Sequence, residues 1–185
     1  MRKILAQAMV SLDGYIEDSK NKIDWHVVDS EYHTYSLELL KSADYLAFGR
    51  KTYEHMAAFW PTPLAESLFP ETRKQMNETN KIVVSSTLKE ANWKSTELIN
   101  EDIASYFHDL KKGPSNQNIV ILSSSILSDY LLNEQLIDEY HIIVNPILLG
   151  GGTPYFKKTP AKLRLVESSP FSSGNVRLRY TPIYN

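Results

Sequence analysis

The sequence predicts an α/β protein in which a mainly parallel central sheet carries helices on both faces. Short apolar runs rich in β-branched residues alternate with amphipathic segments through most of the chain, as in successive βαβ units. Glycine, serine and basic residues collect where the predicted strands end. The 185 residues, 42% of them hydrophobic, are enough to bury a core without disulfides, and we expect one domain over residues 1–185.

In the first half of the chain, four segments alternate between strand and helix. They are the strand 3–10, the helix 30–42, the strand 44–48 and the helix 50–58. Ser30 is the expected N-cap of the first helix, whose apolar face carries Tyr35, Leu39 and Leu40. Pro61 and Pro63 follow the second helix and are expected to stop it.

The second half continues the alternation and closes on an antiparallel pair. Strands are predicted at 81–84, 118–122 and 140–149, and helices at 101–112 and 126–133. Residues 163–166 and 176–180 flank the turn-forming segment 172–175, which predicts a C-terminal hairpin.

Four of these strands end in segments that suit phosphate groups. The segments are 11–14, 49–52, 85–87 and 123–125, and three of them are rich in hydroxyls. Ligands of parallel sheets bind at the carboxyl ends of the strands, where helix N-termini offer free N–H groups. Arg50 could add a forked contact and Lys51 a point charge. Taken singly, each segment is better explained by a tight turn, a helix cap or a solvated surface. Their recurrence at successive strand ends makes phosphate binding about equally favoured, so spacing alone leaves both interpretations open.

Composition and spacing argue against several other functions. The net charge is -2 and no run of like charges exceeds two residues, so neither nucleic acid nor a membrane surface is an expected partner. The five histidines lack metal-ligand spacing, and we expect no metal. The triple glycine at 150–152 meets neither dinucleotide nor P-loop patterns and is interpreted as a wide turn. The first apolar stretch is too short for a signal peptide, which indicates a cytoplasmic protein.

Set side by side, the strand ends resemble the dihydrofolate reductase superfamily. The resemblance is closer to the reductase domain at the C-terminus of bifunctional riboflavin-biosynthesis deaminase-reductases, and it covers nearly the whole chain. It rests on four motifs in the family's order: VSLDGYI at 10–16, GRKTYE at 49–54, VSS at 84–86, and LIDEY at 136–140 running on to PILLGGG at 146–152. The deaminase half is missing, and without cysteine no zinc deaminase signature is present.

The resemblance implies a dihydrofolate-reductase-like three-layer fold and a homodimeric, NADPH-dependent reductase. Its hydride acceptor would be a C=N or C=O bond of a small heterocyclic or sugar-linked molecule. The implied cofactor-binding residues are Ser11, Asp13 and Ile16 for the nicotinamide and ribose; Gly49, Arg50, Lys51 and Thr52 for the phosphates; Ser85, Ser86 and Thr87, together with Arg50, for the 2′-phosphate of NADPH; and Ser123, Ser124, Ser125, Ile126 and Leu127 for the pyrophosphate.

Substrate-side residues follow from the same resemblance. Trp25, Tyr53 and Trp60 would line the acceptor pocket, although Trp25 and Trp60 also suit core or lid packing. The proton would come from Asp29, from Asp13 or from a bound water. A turn-forming role before Gly14 explains Asp13 equally well.

Two departures from the family pattern keep alternative functions open. Ser123, Ser124 and Ser125 stand where the family has a Gly-Gly pair, and Leu122 stands where riboflavin-pathway reductases carry an acidic substrate ligand. The serines favour a non-catalytic member of the fold that binds a nucleotide. A phosphate-ester hydrolase ranks last, because neither a metal site nor a nucleophile motif supports it.

Overall fold

The computed structural model of the chain describes residues 1–157 and 159–184, and strands and helices alternate along it. The strands are β1 (Ile4–Ser11), β2 (Tyr15–Glu17), β3 (Ala43–Gly49), β4 (Asn80–Val84), β5 (Thr96–Ile99), β6 (Asn118–Leu122), β7 (Glu139–Asn145), β8 (Thr153–Pro154), β9 (Lys162–Pro170) and β10 (Val176–Ile183). The helices are α1 (Ser30–Lys41), α2 (Arg50–Phe59), α3 (Pro63–Leu68), α4 (Pro70–Glu78), α5 (Ile103–Lys112) and α6 (Ser125–Asn133).

Eight of the strands form one sheet in the order β5-β4-β3-β6-β1-β7-β10-β9. The first six strands in this order run parallel, β10 pairs antiparallel with β7, and β9 pairs antiparallel with β10. The parallel strands therefore end at one edge of the sheet, which is where a βαβ protein binds its ligands. The predicted α/β fold and its C-terminal antiparallel pair are confirmed.

Two apolar clusters, one on each face of the sheet, make the structure three-layered. Along β1, Ile4, Ala6, Ala8 and Val10 belong to the cluster that contains Phe107 of α5 and Leu131 of α6. The intervening residues Leu5 and Met9 belong to the cluster that contains Leu39 of α1 and Met76 of α4. This alternation follows the two-residue period of a strand.

Several element boundaries differ from the sequence prediction for local reasons. The N-cap of α1 is Asp29 rather than Ser30, since the Asp29 side chain accepts from the backbone N–H of Tyr32. Helix α5 begins at Ile103 because Asp102 is in the left-handed region, with φ of 48°. Strand β7 ends at Asn145, before Pro146, which has no N–H to continue the pairing.

Helices α3 and α4, strand β5 and the short β2–β8 pair were not predicted. Both helices begin at prolines, Pro63 and Pro70, at positions where the missing N–H costs nothing. Helix α2 ends at Phe59, before Pro61 and Pro63 as expected, and Pro63 also starts the next helix. The glycine turn is fixed by β2: a Cβ on Gly152 would lie 2.0 Å from the carbonyl oxygen of Glu17.

Candidate functional site

A cavity of about 830 Å³ lies along the edge of the sheet where the parallel strands end. It crosses from one layer to the other: Leu127 and Val84 on its wall pack against the α5–α6 cluster, whereas Met9 and Trp60 pack against the α1–α4 cluster. Most predicted cofactor-binding residues line it, namely Ile16, Gly49, Arg50, Lys51, Thr52, Ser85, Ser86, Thr87, Ser123, Ser124, Ser125, Ile126 and Leu127.

Two helix N-termini open into this cavity. Helix α2 begins at Arg50 directly after β3, and α6 begins at Ser125 just after β6. Neither N-cap residue, Gly49 or Ser124, makes a side-chain capping hydrogen bond. The first-turn N–H groups of both helices are therefore available to an anion, and the helix dipoles favour negative charge there.

Gly49 and Ser124 hold the two helix starts against each other. The backbone N–H of Gly49 donates to Ser124 Oγ over 2.9 Å. A Cβ added at Gly49 would lie 2.6 Å from the same oxygen, so a larger residue here would force the Ser124 hydroxyl to move. Ser123 has φ of 50°, the left-handed conformation that glycine adopts without cost. Ser123 thus keeps a glycine-like backbone, and the Ser124 hydroxyl is bonded within the protein.

The cations of α2 are exposed at the cavity. Arg50 Nη1 donates to Glu54 over 3.1 Å, and the Arg50 side chain is 46% exposed. Lys51 Nζ lies 3.9 Å from Glu17 Oε1, and its side chain is 74% exposed. Both ion pairs are solvated and weak, so a phosphate could replace the carboxylates at little cost.

The segment after β4 forms a hydroxyl turn. Ser85 is buried, and its Oγ accepts from the backbone N–H groups of Thr87 and Leu88 at 3.1 Å and 2.9 Å. Ser86 and Thr87 are exposed and line the cavity beside Asn100, which follows β5. Asn100 was not foreseen, because β5 is too short to show a pattern in the sequence.

Ser11 and Asp13 lie outside the cavity lining and tie two loops together. The Ser11 hydroxyl donates to Asp13 Oδ1 over 2.6 Å, and the Asp13 carboxylate also accepts from the backbone N–H groups of Leu149 (3.1 Å) and Gly150 (2.8 Å). The Ser11 hydroxyl and these amides lower the pKa of Asp13. Asp13 is therefore ionised at neutral pH, and its carboxylate links its own loop to the loop at Leu149 and Gly150.

Asp29 is likewise placed outside the lining and acts as a helix cap. Its Oδ1 accepts from the Tyr32 N–H over 2.7 Å. Hydrogen bonding from the Ser173 side chain, and then from the Tyr32 amide, lowers the pKa of Asp29. The catalytic roles of Asp29 and Asp13 remain predictions. In the structure, Asp29 caps a helix and Asp13 binds the backbone of the Leu149–Gly150 loop.

The three aromatic residues predicted for the acceptor pocket are divided. Trp60 lines the cavity, and its Nε1 donates to Met56 Sδ over 3.1 Å. Tyr53 is buried behind the wall, where its hydroxyl accepts from the Trp93 N–H. Trp25 is not part of the lining; its ring packs edge-on against His26, with ring centroids 4.3 Å apart.

The end of the cavity on the α1–α4 side, hereafter the acceptor end, is largely apolar. Among its lining residues, Met9, Met56 and Trp60 pack against the α1–α4 cluster and Phe59 packs against Trp60. Ile23 and His26 also line the cavity and belong to the loop between β2 and α1. Sequence reasoning missed His26. Burial lowers its pKa to about 4, although the Ile16 carbonyl partly offsets this, and its Nε2 is buried without a hydrogen-bond partner. Position next to Trp25 was the only signal in the sequence.

Neither a metal-binding cluster nor a membrane-spanning helix is present in the part of the chain that the structure describes. Within residues 1–157 and 159–184, no cluster of three or more histidine, aspartate or glutamate side chains could hold a metal ion. No helix in the same residues has the length and apolar character needed to cross a membrane.

The fold is that of a dihydrofolate-reductase-like α/β protein, with a cavity along the edge where the parallel strands end. Residues 2–177 match the family model described as the RibD C-terminal domain, and the chain belongs to that family. The resemblance noted in the sequence is confirmed.

Individual relatives agree with this assignment. The uncharacterized protein YyaP of Bacillus subtilis (strain 168) is 28% identical over 185 residues, covering 97% of this chain and 94% of YyaP. A putative riboflavin biosynthesis protein from Shewanella sp. PV-4 superposes with a TM-score of 0.75 at 24% identity, covering 98% and 99% of the two chains. Dihydrofolate reductase from Enterococcus faecalis, solved with NADP(H), gives a TM-score of 0.62 at 16% identity, covering 98% and 97%. The two structures show a shared fold.

Proposed function

We propose that this protein is an NADPH-dependent reductase that transfers hydride to a C=N or C=O bond of a small acceptor. In reaction type it would be similar to 5-amino-6-(5-phosphoribosylamino)uracil reductase or dihydrofolate reductase. The observation that carries the proposal is one continuous cavity that joins two helix N-termini and two cations to an apolar end. Membership of the RibD C-terminal domain family supports the same reaction class.

The residues at the starts of α2 and α6, hereafter the phosphate end of the cavity, fit a dinucleotide. A pyrophosphate needs several N–H donors at close range, which the starts of α2 and α6 offer side by side through the Gly49–Ser124 contact. Arg50 can bind a phosphate bidentately and Lys51 as a point charge. Ser86 and Thr87 are exposed and line the cavity, and they would meet the 2′-phosphate of NADPH.

The reaction requires one hydride and one proton. When bound, NADPH supplies the hydride and leaves as NADP⁺, while the acceptor C=N or C=O gains hydrogen at carbon and a proton at nitrogen or oxygen. Asp13 and Asp29 are ionised at neutral pH, since hydrogen bonds lower the pKa of each. We therefore propose a water at the acceptor end as the proton source. The protein contributes orientation and exclusion of bulk solvent.

A second candidate is a non-catalytic nucleotide-binding protein. It is favoured by Ser124, whose hydroxyl occupies the space beside Gly49, where the family's glycine would leave room for a phosphate oxygen. If this crowding keeps the nicotinamide from the acceptor end, the protein would bind a dinucleotide without reducing anything.

Titration of the protein with NADPH and with NADH, followed by nicotinamide fluorescence, tests these proposals. Loss of a charged hydrogen bond costs about 1.5–3 kcal/mol, so Arg50→Ala should weaken NADPH binding roughly 10- to 100-fold. Ser86→Ala should reduce the preference for NADPH over NADH. The control variants Arg164→Ala and Ser105→Ala alter exposed residues outside the cavity lining and should leave both affinities unchanged.

The outcomes separate the candidates. If neither NADPH nor NADH binds saturably, the reductase proposal is refuted. Saturable NADPH binding with no oxidation across a panel of imines and carbonyls favours the non-catalytic alternative. Unchanged NADPH selectivity in Arg50→Ala and Ser86→Ala contradicts the proposed 2′-phosphate site.

A further inference from the structure

The acceptor end of the cavity identifies a class of substrate. We infer that it takes a neutral, largely apolar acceptor whose polar atom is hydrogen-bonded by His26 Nε2, rather than an anionic or sugar-phosphate one. This inference rests on the proposed reductase function and narrows its substrate.

The first argument is the placement of charge. The carboxylates predicted for this region are used elsewhere: Asp29 caps α1, and Asp13 fastens the Leu149–Gly150 loop. The charged residues of the lining stand elsewhere: Arg50 and Lys51 at the start of α2, and Lys157 two residues after Tyr155, which packs in the α5–α6 cluster. The carboxylate of the lining, Glu17, lies 3.9 Å from Lys51. An ionic acceptor at the other end would have no opposite charge to offset its desolvation.

The second argument is the lining itself. Met9, Ile23, Met56 and Phe59 offer only apolar surface or a thioether, and the Trp60 indole N–H is already donated to Met56 Sδ. Flat aromatic and flexible methionine side chains suit a planar apolar ligand.

The third argument is the state of His26. Its Nε2 is buried and has no partner in the protein, which costs about 1–3 kcal/mol that a ligand atom could recover. Burial keeps the ring neutral at pH 7, so it can donate or accept one hydrogen bond without introducing charge. The Trp25 ring packs edge-on against it and fixes its orientation. His55, the other histidine on this wall, is exposed.

A matched pair of probes tests the inference: 2-naphthaldehyde, which is neutral, and 2-naphthoate, which has the same rings and a negative charge. Calorimetric titration is performed with and without saturating NADPH. We expect 2-naphthaldehyde to bind at least tenfold more tightly than 2-naphthoate when NADPH occupies the phosphate end. His26→Phe keeps the ring volume and removes the nitrogen, and should weaken 2-naphthaldehyde binding about tenfold.

Two further measurements keep the test decisive. His108→Phe is the control variant, because His108 is exposed on α5, away from the cavity lining. In wild-type protein labelled with ¹⁵N-histidine, 2-naphthaldehyde should shift the His26 Nε2 resonance, which a merely structural histidine would not show. This NMR measurement uses the wild-type protein, so it does not depend on whether His26→Phe folds.

Equal or tighter binding of 2-naphthoate, an unmoved His26 resonance, or full affinity in a folded His26→Phe protein would overturn the inference. Loss of the proposed function gives a different result. In that case NADPH fails to bind, while the probe titrations without dinucleotide still report on His26.

Discussion

Replacing Gly49 with alanine should lower the free energy of unfolding through a single atomic contact. The Gly49 backbone has φ of -80° and ψ of 166°, which any residue adopts, so the substitution adds no backbone strain. The new Cβ would lie 2.6 Å from Ser124 Oγ but 3.9 Å from Ser124 Cβ, and the second distance is an ordinary contact. Only the hydroxyl has to move, and its movement leaves the Gly49 N–H without its acceptor.

The magnitude follows from these two effects. Overpacking and a lost acceptor each cost about 1–3 kcal/mol, and here they are one event, so we expect about 1–3 kcal/mol in total. Ser124→Ala alone should cost about 1 kcal/mol for the lost hydrogen bond. The double variant lacks the Ser124 oxygen that the new Cβ would contact. Its loss of unfolding free energy should therefore be about 1–2 kcal/mol smaller than the sum of the two single losses.

Urea and thermal unfolding of the four proteins measure this coupling. In a chain of this size, 1 kcal/mol shifts the thermal midpoint by about 2–4 °C. Gly151→Ala is the matched control, since a Cβ there meets nothing within 4 Å. Additive costs in the double variant, or an equal loss in Gly151→Ala, would refute the contact argument.

Three further predictions concern Glu139, Asp29, and the oligomeric state and location of the protein. The hydrogen bond from His141, and then the one from Arg179, lower the pKa of Glu139 to about 2. Because this is below its unfolded value of 4.5, the stabilisation is complete above about pH 5 and disappears as the pH falls towards 2; allowing for solvent screening it amounts to about 1–2 kcal/mol. Acid titration of unfolding should therefore be flatter in Glu139→Gln, and an identical pH profile would contradict this. Asp29→Ala should lose about 0.5–2 kcal/mol of stability with the Tyr32 cap, and Asp29→Asn should retain most of it; a large loss of NADPH oxidation in a stable Asp29→Asn protein would instead support the catalytic role. The homodimer and its cytoplasmic location stay predictions, which sedimentation equilibrium and cell fractionation test; a monomer at all concentrations would contradict the first.

Much of the fold could be predicted because its signals are local. The short apolar run that forms β1 and the helical spacing of Tyr35, Leu39 and Leu40 are visible within a dozen residues. Parallel strands share one carboxyl edge, so the phosphate-end residues at 49–52, 85–87 and 123–125 could be grouped in advance. Helix α3 was missed because a proline has two local meanings: Pro63 can follow the end of one helix and also start the next.

The acceptor end depended on contacts between distant residues, which no local pattern reports. Asp13 is engaged by Leu149 and Gly150, more than a hundred positions later in the chain, and this contact removes it from the cavity lining. His26 gains its buried, partnerless Nε2 only through packing against other parts of the fold. The sequence by itself determined the class of fold and the edge of the sheet where the cavity lies, since residue type and spacing define both. Only the tertiary structure decided which side chains line the apolar end of that cavity, because orientation and burial depend on the complete set of packed neighbours.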